Sequence, residues 1–77
     1  MKLKDFEVGS SIKITGYAKS GKAYRQKLLA MGLRKGLVLK ITRKAPLGDP
    51  IELNTGSFNL SLRKDEANAL KVEEVKK

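Results

Sequence analysis

Leu37-Val38-Leu39-Lys40-Ile41-Thr42-Arg43, a turn at Ala45-Pro46-Leu47-Gly48-Asp49-Pro50, then Ile51-Glu52-Leu53: this stretch decides the fold. Leu37, Leu39 and Ile41 recur at every second position, as do Ile51 and Leu53, which is the period of a strand with one face buried. Between the runs, Pro46 suits turn position i+1 and Gly48 position i+3. Pro50 has no backbone N–H to give, so it should open an edge strand or lie outside the ladder. An exposed edge near Pro50 would then be available for self-association.

The same alternation extends outward in both directions. Toward the N-terminus, Gly9-Ser10-Ser11 marks a turn before Ile12-Lys13-Ile14-Thr15, whose isoleucines point inward, and Gly16 is expected to end that strand. Toward the C-terminus, Asn54-Thr55-Gly56 turns the chain into a strand carrying Phe58, Leu60 and Leu62 on one face. Lys64 to Ala69 has room for one or two helical turns, and Leu70, Val72 and Val75 lie in or beside a closing strand. One segment breaks the period of two. From Lys22 to Met31, apolar Tyr24, Leu28 and Met31 fall at i, i+4 and i+7, the stripe of an amphipathic helix. Ser20 or Gly21 suits its N-cap, and Gly32 suits the left-handed residue beyond its C-terminus, with Leu33 folding back on Leu28. Lys35-Gly36 turns the chain into the next strand. Short strands, glycine turns and one helix indicate a mainly β fold, a small closed barrel with one helix and a short second helical turn.

A chain of 77 residues is one domain, spanning 1–77. It has no Cys and no His, which removes thiolate and imidazole metal ligands and the commonest acid–base and nucleophilic side chains. Its close carboxylates (Asp5 and Glu7, Asp65 and Glu66, Glu73 and Glu74) read as solvated pairs and suit Mg²⁺ or Ca²⁺ better than Fe(II). Gly21-Lys22 lacks the upstream glycine and the following Ser or Thr of a phosphate loop. No metal site, cofactor or catalytic activity is therefore expected. Apolar runs are too short to span a bilayer and Met1 to Asp5 leads into no apolar leader, so a cytoplasmic location is expected. The net charge of +9 invites an acidic partner, but the cations are scattered as on the solvated face of alternating strands.

Ile14-Thr15-Gly16, Ala23-Tyr24-Arg25-Gln26-Lys27-Leu28-Leu29 and Gly32, followed by Ala45-Pro46-Leu47-Gly48-Asp49-Pro50-Ile51 and Leu62-Arg63, resemble the ferrous iron transport protein A (FeoA) family, from about Ile12 to Val75. The resemblance implies an SH3-like barrel acting in the cytosol beside FeoB, a membrane permease that carries a GTPase domain and moves Fe(II). Lys35 stands where the family commonly has proline, so this turn lacks proline's fixed φ and should be looser.

Chemistry-free and basic, the chain reads as a binding module. Leu29 lies about 130° from the centre of the apolar stripe, on the side of Lys22, Arg25 and Gln26. It is packed under a loop, or one of the isolated apolar side chains common on surfaces, or an apolar anchor ringed by cations, as interfaces use. Leu47 sits at the tip of the proline turn, a stiff loop that loses little freedom on docking. Asp49 is available to cap that turn, and Arg63 to pair with Glu66 one turn on. Lys22, Arg25, Leu29, Leu47 and Arg63 are thus the candidate partner-binding residues, with Gly32, Gly36, Pro46, Gly48 and Pro50 structural. The first reading is a regulator docking on the Fe(II) permease. The alternative is a small basic barrel binding nucleic acid, for which the aromatics are few and Tyr24 and Phe58 are assigned to core faces. A GTPase-activating role would ask Arg25, Arg34 or Arg63 to act in trans, and no sequence feature selects it.

Overall fold

A computed structural model describes residues 3–19, 22–47 and 49–75, with Lys22 by its backbone alone. After a 3₁₀ turn at Leu3–Asp5 come β1 (Ser11–Tyr17), α1 (Lys22–Ala30), β2 (Val38–Lys44), β3 (Ile51–Asn54), β4 (Asn59–Leu62), α2 (Lys64–Asn68) and β5 (Leu70–Glu74). The strands form one antiparallel sheet in the order β4-β3-β2-β1-β5. This sheet is curled into the SH3-like barrel. α2 leads from one edge strand, β4, to the other, β5, so the helix bridges the seam.

Alternation sets what faces inward. Along β2, Leu39 and Ile41 are fully covered while Val38, Lys40 and Thr42 are exposed; Ile12, Ile14, Ile51 and Leu53 supply the inner faces of β1 and β3. The register stacks them in rows, with Ile12 opposite Leu39 and Ile41 opposite Leu53. Each such aliphatic side chain contributes about 1.5–3 kcal/mol on burial. Leu28 of α1 and Leu33 beyond it join the same core, with Tyr24 and Met31 packed against it.

Both expectations for the end of α1 hold. Gly32 N–H donates to Leu29 C=O (3.0 Å) and Leu33 N–H to Leu28 C=O (3.0 Å), the paired bonds of a Schellman cap. Gly32 takes φ +88°, and a Cβ there would stand 3.7 Å from Phe58 Cζ, an ordinary contact. Gly32→Ala is therefore expected to destabilise through the backbone alone, by about 1–2 kcal/mol. Urea unfolding checks this, and an unchanged midpoint would remove Gly32 from the capping role. The turn at Lys35-Gly36 is held without proline: Gly36 N–H donates to Ile14 C=O (2.7 Å) and Leu37 N–H to Arg34 C=O (3.1 Å). Pro50 lies just outside β3, and its C=O accepts from Ala45 N–H (3.1 Å), closing the Pro46 turn. The expected caps at Ser20 and Gly21, and the turn glycine Gly48, lie outside the described residues.

Four expectations are corrected. Gly16 does not end β1: the strand continues to Tyr17, and the β1–β5 register shifts between Ile14 and Gly16, a bulge that glycine accommodates without a side chain to place. Pro50 lies outside the ladder, the second of its two alternatives, but the strand after it is interior, so no exposed edge for self-association lies there and the sheet's edges are β4 and β5. Phe58 is outside the core. It precedes β4 in a turn where Thr55 Oγ1 accepts from Ser57 and Phe58 N–H (3.2 and 3.1 Å), which carries its half-exposed ring past the end of the barrel onto Gly32. Glu66 is buried rather than solvated, at 5% exposure.

Candidate docking surface

α1 presents two faces. Leu28 is fully buried, whereas its neighbour Leu29 is 44% exposed on the side of Arg25 and of the Lys22 backbone position, four and seven residues earlier. The exposed leucine is thus an apolar point beside Arg25, with no loop over it among the described residues. Arg25 is held there: its guanidinium carbon lies 5.4 Å from the centroid of the Tyr17 ring, and Tyr17 Oη donates to Leu33 C=O (2.6 Å). A cation over an aromatic face gains about 0.5–1 kcal/mol at an exposed site and keeps its outward N–H groups. Tyr17, Ala18, Lys19 and Arg25 line an open cleft of about 300 Å³ beside this face. Tyr17 was not among the sequence candidates, because nothing local to residue 17 reports which helix residue will stack on it.

The other candidates are spread out. Arg63 is exposed and lies across a cleft of about 580 Å³ whose lining includes Lys27 and Met31 from the α1 end and Asp49, Ser61 and Glu66 opposite. Its expected ion pair with Glu66 is replaced by two other bonds. Arg63 N–H, not its guanidinium, donates to Glu66 Oε1 (3.0 Å), and Lys27 of α1 supplies the ion pair. The Lys27 ammonium, then the Arg63 N–H, hold the Glu66 carboxyl below the usual carboxylate range against the opposing effect of burial. Asp49 is likewise not a cap for its own turn: its Oδ1 accepts from Lys64 N–H (3.1 Å), capping α2 from the β2–β3 connection. The Arg63 side chain has no acceptor to offer at that helix start, so Glu66 and Asp49 accept from Arg63 and Lys64 N–H instead. Leu47 is 94% exposed and stands apart, beside a small cavity lined by residues of the 3₁₀ turn, β3 and α2. The geometry brings together Arg25, Leu29 and the backbone of Lys22, sets Arg63 across a cleft, and does not join Leu47 to them.

Among the described residues, no three of His, Cys, Asp or Glu converge on a point where a metal ion could sit. No helix there is long and apolar enough to cross a membrane.

Barrel and helix together define a small basic SH3-like domain of the FeoA type. A family model described as the FeoA domain matches residues 1–74, and the chain belongs to that family. It is 30% identical over 73 residues to a protein from Porphyromonas gingivalis named as a fusion of Fe(2+) transport protein A and Fe(2+) transporter FeoB; the match covers 95% of this chain and 8% of that one. The solved structure of a FeoA-like protein from Clostridium acetobutylicum has 38% identity and a TM-score of 0.87, covering 100% of this chain and 88% of the other. For the FeoA protein from Chlorobium tepidum the values are 38% and 0.83, with 99% and 71% covered.

Proposed function

We propose that this chain is a cytoplasmic accessory and regulatory protein of Fe(II) uptake that docks on the cytosolic part of a FeoB-type permease, with no catalysis and no iron site of its own. One observation carries the reading: a relative in which an Fe(2+) transport protein A and a transporter FeoB are a single polypeptide. A covalent tether supplies a high effective concentration, and separate chains need a recognition surface in its place. The Arg25–Leu29 face of α1 has the composition for that surface, an exposed leucine beside a pre-positioned arginine.

The nucleic-acid alternative is disfavoured by the aromatics. Phe6 is buried, Tyr24 packs against the core, and Tyr17 is stacked by Arg25, which leaves Phe58 without a second ring to build a stacking platform.

Capture of detergent-solubilised permease by the immobilised chain tests the proposal. Binding is expected at low salt, weakening as salt rises. Leu29→Asp and Arg25→Glu should each lower affinity at least about tenfold, since an anchor residue at an interface centre contributes ~2 kcal/mol or more. Circular dichroism should show both variants folded. No capture at low salt would reject the proposal; capture untouched by either variant would reject this face.

A further inference from the structure

All eight Asp and Glu residues lie outside the segment from Val8 to Gly48, which holds β1, α1, the following turn and β2. Cations continue through that segment, so the overall +9 is distributed unevenly. Where the α1–β2 connection meets the β3–β4 turn, the uneven charge coincides with exposed apolar side chains. Phe58 is 46% exposed with its ring against Gly32, and Val38 is 45% exposed at the first position of β2. Lys40 pairs with Asn54 and Asn54 with Asn59, so Val38, two residues before Lys40, stands level with the turn that carries Phe58. Arg34 and Lys35 are exposed in the connection just after Gly32, and Lys40 is exposed two residues beyond Val38 on the same side of β2. The carboxylate that approaches from β5, Glu73, is held by Lys13 at 3.4 Å.

We propose that this end of the barrel is a docking face for an anionic phospholipid surface, independent of the permease. Phe58 and Val38 each leave about half of their surface open to solvent, as apolar contact groups ready for burial. Exposed apolar groups among spaced cations that form no ion pair among the described residues suit a fluid interface, where shape need not be matched and each cation adds its own attraction. A protein partner would be better served by a pocket and by matched charge pairs.

Sedimentation with permease-free vesicles tests this, using the full chain at about 0.1 M salt, where the Debye length of ~10 Å keeps charges at the far side out of play. Binding is expected to equimolar phosphatidylglycerol and phosphatidylcholine, and not to phosphatidylcholine alone. Arg34→Glu with Lys35→Glu should lower affinity at least about 25-fold, at around fivefold per cation removed. Phe58→Ser should lower it about fivefold, the loss of a half-buried ring. Lys4→Glu with Lys64→Glu makes the same net-charge change beside Ile51, at the other end of β2, and should stay within about threefold of the parent. No binding to the anionic vesicles would overturn the proposal. An equal loss from the Lys4/Lys64 pair would overturn it as well, by showing adsorption through net charge alone, as would Phe58→Ser binding like the parent. Because the vesicles contain no permease and the capture assay contains no bilayer, each proposal can fail without the other.

Discussion

Leu28→Ala is expected to cost about 3 kcal/mol of folding stability, while Leu29→Ala, one residue later, should change it by less than about 0.5 kcal/mol. Leu28 is fully covered, and it fastens α1 to the barrel beside Leu33, whose N–H bonds to the Leu28 carbonyl. Truncation there removes transfer free energy and leaves a void that a nine-residue helix closed by a cap cannot collapse into. The total stability of a domain this small is only about 4–11 kcal/mol, so the loss is a large fraction of it. The melting temperature should fall by more than about 12 °C. Leu29, at 44% exposure, leaves no comparable void. Thermal and urea unfolding of the two variants side by side is the measurement. Similar losses would mean that Leu29 is core, and the docking face would lose its anchor.

Removal of the buried carboxylate is the second large effect. Glu66→Ala should destabilise by about 2 kcal/mol, mainly because Arg63 N–H loses its acceptor in a half-buried setting. Lys27, at 61% side-chain exposure, can return its ammonium to water, so no stranded charge adds to the loss. The pH dependence follows from the direction of the shift. Glu66 has its pKa lowered in the folded state, below the unfolded value of about 4.3. The unfolded chain therefore takes up this proton first as pH falls. Its stabilisation is complete above the unfolded pKa and is lost as pH drops through the folded one. Glu66→Gln should accordingly be less stable than the parent at pH 7, with the gap narrowing below pH ~4. Urea midpoints across that range decide it, and a gap of constant size would mean that the charge on Glu66 contributes nothing.

Particular residues show how far reading along the chain reaches. The inward set of β2 and β3, the apolar stripe of α1 and the glycine cap at Gly32 are governed by neighbours within about four positions, and these came through correctly. Phe58 continued the phase of Leu60 and Leu62 yet lies outside the core, because alternation specifies which way a side chain points and not how far the barrel extends along the strand. Gly16 looked like a strand end because glycine suits both a terminus and a bulge, and the choice depends on β5, more than fifty residues away. Glu66 looked solvated because its ammonium partner, Lys27, is 39 positions distant on another helix. In the candidate docking surface, Leu29 and Arg25 were found from helical phase, whereas the Tyr17 ring beneath Arg25 and the exposed ring of Phe58 were not.

Composition and periodicity thus determined on their own that the chain forms mostly strands with one amphipathic helix, and that it contains neither histidine nor cysteine. These are properties of residue type and of spacings no longer than a turn or two, which the backbone's own geometry translates into faces. The tertiary structure decided which carboxylate is buried, which aspartate caps which helix, and which apolar side chains remain at the surface beside cations. Those outcomes depend on segments brought together only when the sheet curls and the core closes, so the free energy that selects them does not exist in any stretch of the chain taken alone.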